Sequence, residues 1–341
     1  MSVRLIEPLG LIAGAEDAAA AVAAGVALPL AGGPLAFSLA RLLPDLRPRP
    51  VGDIPPEWQD ALHQLTHPPL SLWTREPTIM GVLNVTPDSF SDGGDHGDAQ
   101  EAIAAGLAMA AAGAEIIDVG GESTRPGAIA VPPAVEQARI LPVIAGLAHR
   151  GASVSVDTRN ATTMAAALEA GAAIVNDISA LTYDPEAAPL LARSAASVVL
   201  MHTRGTPESM MGEAHYGDVA LDVTRELAER VAGAEAAGIA RERIALDPGI
   251  GFAKTGTHNL ALLARLPLLL NLGLPLVIGA SRKRFIGRIS GIGEPRRRLA
   301  GSLSVALFAL GRGASILRVH DVAETIQALR VWQALARMRK D

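Results

Sequence analysis

Residues 79–94 read IMGVLNVTPDSFSDGG. The opening residues are apolar and uncharged, which fits a strand covered on both faces, the kind that parallel sheets use. The run stops at Asn84, and in such sheets functional residues project from the carboxyl ends of the strands. The loop beyond holds Thr86, Asp88, Ser89, Ser91 and Asp92 and then two glycines, an oxygen-rich composition suited to covering an anion or a metal ion. Taken alone, the same residues would also serve as a polar turn that caps a helix.

Working outward, short Val/Ile-rich runs alternate with Ala/Leu-rich stretches of helical period, and the alternation repeats eight times. Strands are expected at 79–84, 115–119, 153–157, 172–176, 197–201, 243–247, 275–279 and 315–319. Helices are expected to follow at 99–112, 132–149, 161–170, 184–195, 216–237, 258–270, 299–311 and 321–338. Strict alternation implies right-handed crossovers and a parallel sheet, and eight units in about 260 residues match a (β/α)8 TIM barrel. The competitor is a doubly wound open sheet. Polar residues after nearly every strand favour the barrel, because its eight loops share one mouth whereas an open sheet gathers ligands at a switch point.

Residues 1–78 stand outside this count, punctuated by AGGP, RPRP, IPPEW and HPPL. Residues 1–78 are expected to form an N-terminal extension packed on the barrel's closed end or on a neighbouring subunit, with a linker or extended strap from Arg47 to Pro69, and they hold no catalytic constellation. The barrel domain is expected over 79–341. A chain of 341 residues with 49% hydrophobic content can bury one large core. A net charge of -5 argues against binding nucleic acid through a general basic surface. The absence of cysteine excludes disulfides, thiolate metal sites and cysteine nucleophiles and agrees with a reducing compartment, so a cytoplasmic location is expected. Residues 18–40 are uncharged but Ala/Gly-rich and broken by Pro29 and Pro34, so no membrane span or targeting segment is expected.

The strand ends, in order, are Asn84, Asp118, Asp157, Asn176, Met201, Asp247, Ser281 with Lys283, and Arg318 with His320. Asp157, Asn176 and Asp247 could together pair with a flat heterocycle bearing donors and acceptors, since a carboxylate accepts two parallel N–H bonds and an amide offers both polarities. Singly, Asp157 and Asn176 would pass for helix caps. Lys283 lies between an apolar strand and a basic stretch, where a compact charge could bridge a heterocycle carbonyl and a second substrate. Arg318 and His320 are two apart and point the same way beside a helix start, an arrangement suited to phosphate or pyrophosphate. Asp321 and Glu324 fit a capping pair for the last helix.

With these residues in place, the chain closely resembles the dihydropteroate synthase family. LNVTPDSFSDGG, IIDVGGESTRPGA, SVDT, IVNDISAL, LMHTRGTPESM, LDPGIGF, GASRKRFIG and RVHDV follow one another as that family's signatures do, from residue 79 to about 338. The resemblance implies a transferase of folate biosynthesis that joins 6-hydroxymethyl-7,8-dihydropterin pyrophosphate to para-aminobenzoate, with Mg2+ as cofactor. By motif position, Asp157, Asn176, Asp247 and Lys283, with Asp118, would hold the pterin, and Met201 would lie beneath its ring. Asn84, Arg318 and His320 would hold the pyrophosphate, and Asn84 with Asp92 would contribute to the Mg2+ environment. Thr124, Arg125 and Pro126, with Phe252, Ser281 and Lys283, would frame the aminobenzoate. Phe90 would help exclude water.

The chemistry so implied is departure of pyrophosphate ahead of amine attack. Asp92 and the carboxylates around the pterin would stabilise the developing cation, while Arg318, His320 and Mg2+ would stabilise the leaving anion. Three positions depart from the common pattern. Asn160 stands where Lys is frequent and is expected on a first helical turn with little consequence, Arg204 replaces a common Gln, and Ala253 replaces a common Gly. Sulfonamides are expected to act as aminobenzoate mimics, and the family's habit implies a homodimer through the later helices. The alternatives are a pterin-binding methyltransferase domain, which would not need GESTRPG or SRK, and a catalytically silent pterin-binding relative, against which the intact polar set argues.

Overall fold

Eight short parallel strands make up the centre of the computed structural model, which describes residues 4–68, 77–85, 95–125 and 127–336, with residues 95–98 described by their backbone alone. They are β5 (Thr78–Asn84), β6 (Ile116–Gly120), β7 (Val154–Asp157), β8 (Ile174–Asp177), β9 (Ser197–Met201), β10 (Ile244–Asp247), β11 (Val277–Ile278) and β12 (Ile316–Val319). Their order is β10-β9-β8-β7-β6-β5-β12-β11, and the single bridge from Leu246 to Leu276 joins the two ends. The result is the expected (β/α)8 barrel, nearly closed. Expected and observed strand limits differ by two residues at most, because each strand is an apolar run with a polar or glycine stop.

The helices between strands are α3 (Asp95–Ala111), α4 (Pro133–Ala148), α5 (Ala161–Glu169), α6 (Ala187–Ala192), α7 (Val219–Ala236), α8 (Gly256–Ala264), α9 (Arg284–Ser290), α10 (Leu299–Leu310) and α11 (Val322–Ala336). The helix expected over 258–270 is divided: α8 ends at Ala264, and Leu266–Leu272 continues as a 3-10 segment. Pro267 accounts for the break, since it cannot donate to the preceding turn and its ring crowds the carbonyl four residues earlier. α9, in the SRK loop, was not expected, as its seven residues are too short to show a period. No helix among the described residues is long and apolar enough to cross a membrane.

The extension is a folded unit rather than a strap. β1 (Ile6–Ile12) and β2 (Leu28–Leu30) both pair antiparallel with β3 (Leu35–Leu42), and β4 (Arg49–Pro50) adds to β3. Two helices complete it, α1 (Ala15–Ala23) and α2 (Gln59–Thr66). Its buried Leu5, Ile6, Phe37 and Leu65 share one hydrophobic cluster with Leu266, Leu268 and Leu269 of the barrel. Asn271 fastens the contact by accepting from Ile6 N (2.9 Å) and donating to Ile6 O (2.7 Å), and Arg265 forms an ion pair with Glu7. The extension therefore packs on residues 265–272, the segment that leads from α8 toward the amino end of β11. Asn271→Leu is expected to destabilise the chain by about 1–3 kcal/mol, because two buried backbone groups lose their partner. Denaturant melts would check this, with turnover per folded molecule unchanged, since no described residue of the extension takes part in the polar ring described next.

Candidate active site

The barrel interior is built in layers. Met80, Ile116, Ile174, Val199, Ala245, Val277 and Ile316 form a dry plug at the lower level. Strand side chains alternate, so moving two residues toward the carboxyl ends gives the next inward set. That set is Val82, Asp118, Asn176, Met201, Asp247, Gly279 and Arg318, with Asp157 entering from β7. Asp118 is fully buried, and Asp157, Asn176, Met201 and Asp247 are nearly so. A polar ring thus rests on an apolar floor, and the desolvation of the ring has to be offset by specific partners.

Those partners are incomplete. Arg318 donates through Nε to Asp118 Oδ2 and through Nη2 to Asp157 Oδ2, both at 2.6 Å. Asn176 Nδ2 donates to the same Asp118 oxygen at 3.1 Å. Asp118 Oδ1 and Asp157 Oδ1 are buried without a hydrogen-bond partner. One guanidinium is shared between two carboxylates, so the cluster keeps an excess of negative charge. Burial accordingly pushes Asp157 up to about 7, against the pull of Arg318 and with Asp118 adding repulsion. Burial also raises Asp247, although Gly249 N donates to its Oδ1 at 2.7 Å. Orphaned carboxylate oxygens beside an amide oxygen are what a planar group with adjacent N–H donors would satisfy.

Lys283 and His320 border the ring. Lys283 Nζ lies 4.2 Å from the centroid of the Phe252 ring, a cation–π distance. Burial pushes the ammonium down to about 8, helped by the Arg318 charge and opposed by Asp247 and Asp157. Gly251, at φ +86°, lets the backbone pass close to this side chain, since a Cβ there would come within 3.2 Å of Lys283 Cδ. His320 Nδ1 is 3.1 Å from Ser281 Oγ, which also accepts from His320 N at 3.3 Å. Burial, with Arg282 and Arg318 nearby, pushes the imidazole down to about 3, so His320 is neutral. Of the two residues assigned to an anion pocket, Arg318 alone carries charge, and it is bonded to the carboxylates.

Asn84 is half-buried at the end of β5, in register with Gly120. Thr124 is half-buried and Arg125 exposed, in a loop fastened by Glu122 Oε1, which accepts from Val131 N at 3.1 Å and from Arg159 at 2.9 Å. Phe90, Asp92 and Pro126 lie outside the described residues. Among the described residues no group of three or more His, Cys, Asp or Glu side chains could hold a metal ion.

Two structural expectations are corrected. Asn160 stands at the N-cap position of α5 rather than on its first turn, and its amide donates to buried Glu136 at 2.9 Å, so it joins α5 to α4. Asp321 gives its carboxylate to Arg282 instead of capping α11. The sequence also left unremarked Arg159, paired with Glu122 and stacked on Tyr183, and Lys254, buried against His202. A charged residue inside a glycine-rich loop, as Lys254 is in GFAK, was the available signal for the latter.

The family model described as pterin binding enzyme matches residues 80–320. Dihydropteroate synthase from Escherichia coli strain K12 is 46% identical over 265 residues, covering 77% of this chain and 93% of that protein. A Xanthomonas albilineans dihydropteroate synthase solved with 4-aminobenzoic acid superposes with a TM-score of 0.73 at 48% identity, covering 77% of this chain and 94% of that one. The Xanthomonas enzyme in complex with 7,8-dihydropteroate gives 0.71 at 45% identity, covering 77% and 95%.

Proposed function

We propose, from the premise that the chain belongs to the dihydropteroate synthase family of pterin-binding enzymes, that its buried polar ring is the pterin seat and the Lys283–Phe252 wall the aminobenzoate seat. The reaction is the joining of 6-hydroxymethyl-7,8-dihydropterin pyrophosphate to para-aminobenzoate, giving 7,8-dihydropteroate and pyrophosphate, a transferase step of folate biosynthesis. The observation that carries the site assignment is the pair of unpartnered oxygens, Asp118 Oδ1 and Asp157 Oδ1, in a ring that also holds Asn176 and Asp247. The amino and ring N–H groups of a pterin supply the missing donors, and Met201 provides an apolar base beneath the plane.

In this reading the C–O bond at the exocyclic methylene breaks with its electron pair leaving on pyrophosphate. The aniline nitrogen then attacks the methylene carbon, and the anilinium proton passes to water or to the departed pyrophosphate. The ring's excess negative charge stabilises the pterin cation as it develops, and Arg318 with the neutral N–H of His320 stabilises the leaving oxygens. Ser281 orients His320, and Lys283 holds the pterin on one side and the aminobenzoate on the other. By motif position Thr124, Arg125 and Pro126 frame the aminobenzoate, Phe90 helps exclude water, and Asp92 adds negative charge that favours the developing cation. No general base is required, because the aniline is a neutral nucleophile.

Asn84 offers a hard carboxamide oxygen at the rim, and Mg2+ characteristically keeps waters and substrate phosphates with one or two protein oxygens, so the donor set fits this ion without a protein cage. Bound there with Asp92, Mg2+ would neutralise charge on the pyrophosphate. Exposed Phe308 on α10 and exposed Val331 and Leu335 on α11 support a homodimer through the last helices. A cytoplasmic location, with no nucleic acid or membrane partner, agrees with the charge and cysteine content.

The test is purified protein with the pterin pyrophosphate, labelled aminobenzoate and Mg2+, scored for the adduct; its absence would overturn the function. A sulfonamide is expected to bind at least ten-fold more tightly when pyrophosphate and Mg2+ are present. Calorimetry should also find the reciprocal gain in pyrophosphate affinity.

A further inference from the structure

One buried cation has no part in the chemistry above. Lys254 is 3% exposed, two residues beyond Phe252 in the loop that follows β10. Its ammonium donates to Phe252 O at 3.0 Å and lies 2.9 Å from His202 Nδ1. Burial pushes Lys254 down to about 7, and in its ammonium form it has no lone pair, so Nδ1 then accepts and His202 carries its proton on Nε2. That nitrogen is 3.0 Å from Glu226 Oε2 on α7. Burial, with Lys254 alongside, pushes the imidazole down to about 4, in keeping with a neutral ring.

The chain of bonds ties two strand ends together at the site. His202 directly follows Met201, and its N–H donates to Asp247 O at 2.8 Å. Gly249 packs so closely that an added Cβ would stand 1.9 Å from His202 O, so the backbone of the loop is pressed against the end of β9. From there the loop turns through Gly251 to Phe252, whose ring carries Lys283. The one polar anchor on the Phe252 carbonyl among the described residues is Lys254.

We propose that Lys254 is a positioning residue, which by joining the Phe252 carbonyl to His202 fixes the aromatic face against which the aminobenzoate ring packs. This rests on the assignment of Phe252 to the aminobenzoate seat. A cation that served packing alone would, when removed, lower stability without separating the two substrates, whereas a clamp acts on aminobenzoate alone: Lys254→Met keeps the volume and loses the bonds to the Phe252 carbonyl and to His202 Nδ1.

Steady-state kinetics of the full chain test this. Lys254→Met is expected to raise the KM for aminobenzoate about ten-fold, to leave the affinity for the pterin pyrophosphate within two-fold, and to lower the melting temperature, because His202 Nδ1 and the Phe252 carbonyl lose their donor. Phe252→Ala should raise the same KM, and adding Lys254→Met to it should change little more, because both act through one ring. Glu226→Leu, at the half-exposed end of the chain of bonds, is expected to show the same split at about three-fold. Unchanged aminobenzoate KM in whichever of the Lys254 and Glu226 variants folds, equal losses for both substrates, or full additivity with Phe252→Ala would each overturn the clamp. An unaffected Phe252→Ala would remove the seat on which it rests, while wild-type adduct formation would still stand.

Discussion

Lys283→Ala is expected to lower turnover at least 100-fold, about 2.7 kcal/mol of transition-state stabilisation, without lowering the melting temperature. The loss follows from geometry: Lys283 stands against the Phe252 ring and close enough to Asp247 and Asp157 to feel their charge, so in the proposed site it reaches both substrates. The stability expectation follows from linkage. Its folded-state pKa of about 8 lies below the ordinary lysine value of 10.5, so the native state binds fewer protons than the unfolded chain between those values. Stability contributed by this group therefore rises as pH climbs from about 8 toward 10.5, and at neutral pH the buried charge is a cost that alanine removes. Turnover should show the opposite trend. If the charge is what binds, kcat/KM falls as pH rises through about 8, and residual activity in Lys283→Arg should lack that limb. Near-normal turnover in Lys283→Ala would rule out the role.

The parts of this molecule that were legible in its sequence are those governed by local pattern. β5 could be read because Ile79 to Leu83 are apolar without interruption and Asn84 ends them, and the same rule located the other strand ends. Since barrel geometry gathers all strand ends at one mouth, locating them amounts to locating most of the ring. The resemblance supplied the chemistry. What stayed hidden depends on partners far apart in the chain. The extension's sheet pairs Ile6 with Leu42 and Leu9 with Leu39, and nothing local distinguishes its Gly/Pro turns from a linker. Arg159 with Glu122, Asn160 with Glu136 and Arg282 with Asp321 are ion pairs or hydrogen bonds across 24 to 39 residues. Even at the site, Arg318 was expected beside His320 in an anion pocket, and nothing local foretold its bond to Asp118, 200 positions earlier.

Arg318→Met should be the most damaging single change in the barrel. It is expected to cost about 3–5 kcal/mol of stability, because two buried carboxylates lose their shared cation while the desolvation of both remains. It should also cut turnover by about 1,000-fold, since the same guanidinium orients the pterin acceptors and opposes the charge of the leaving group. The two effects can be separated. Asp118→Asn in the same chain removes one stranded charge and still offers an oxygen to Asn176, so it should recover part of the stability and none of the activity. A pH signature accompanies the loss. Without Arg318 the folded-state pKa of Asp157 rises further above its ordinary value of 3.8, so the native state holds a proton that the unfolded chain releases. Stability from that proton is fully present below about pH 4 and is lost as pH rises through the folded-state pKa. The gap in melting temperature between the variant and the wild-type chain should therefore be small at pH 5 and wide at pH 8. A gap that stays constant with pH would mean that Arg318 acts through packing alone rather than as the counter-charge of the ring.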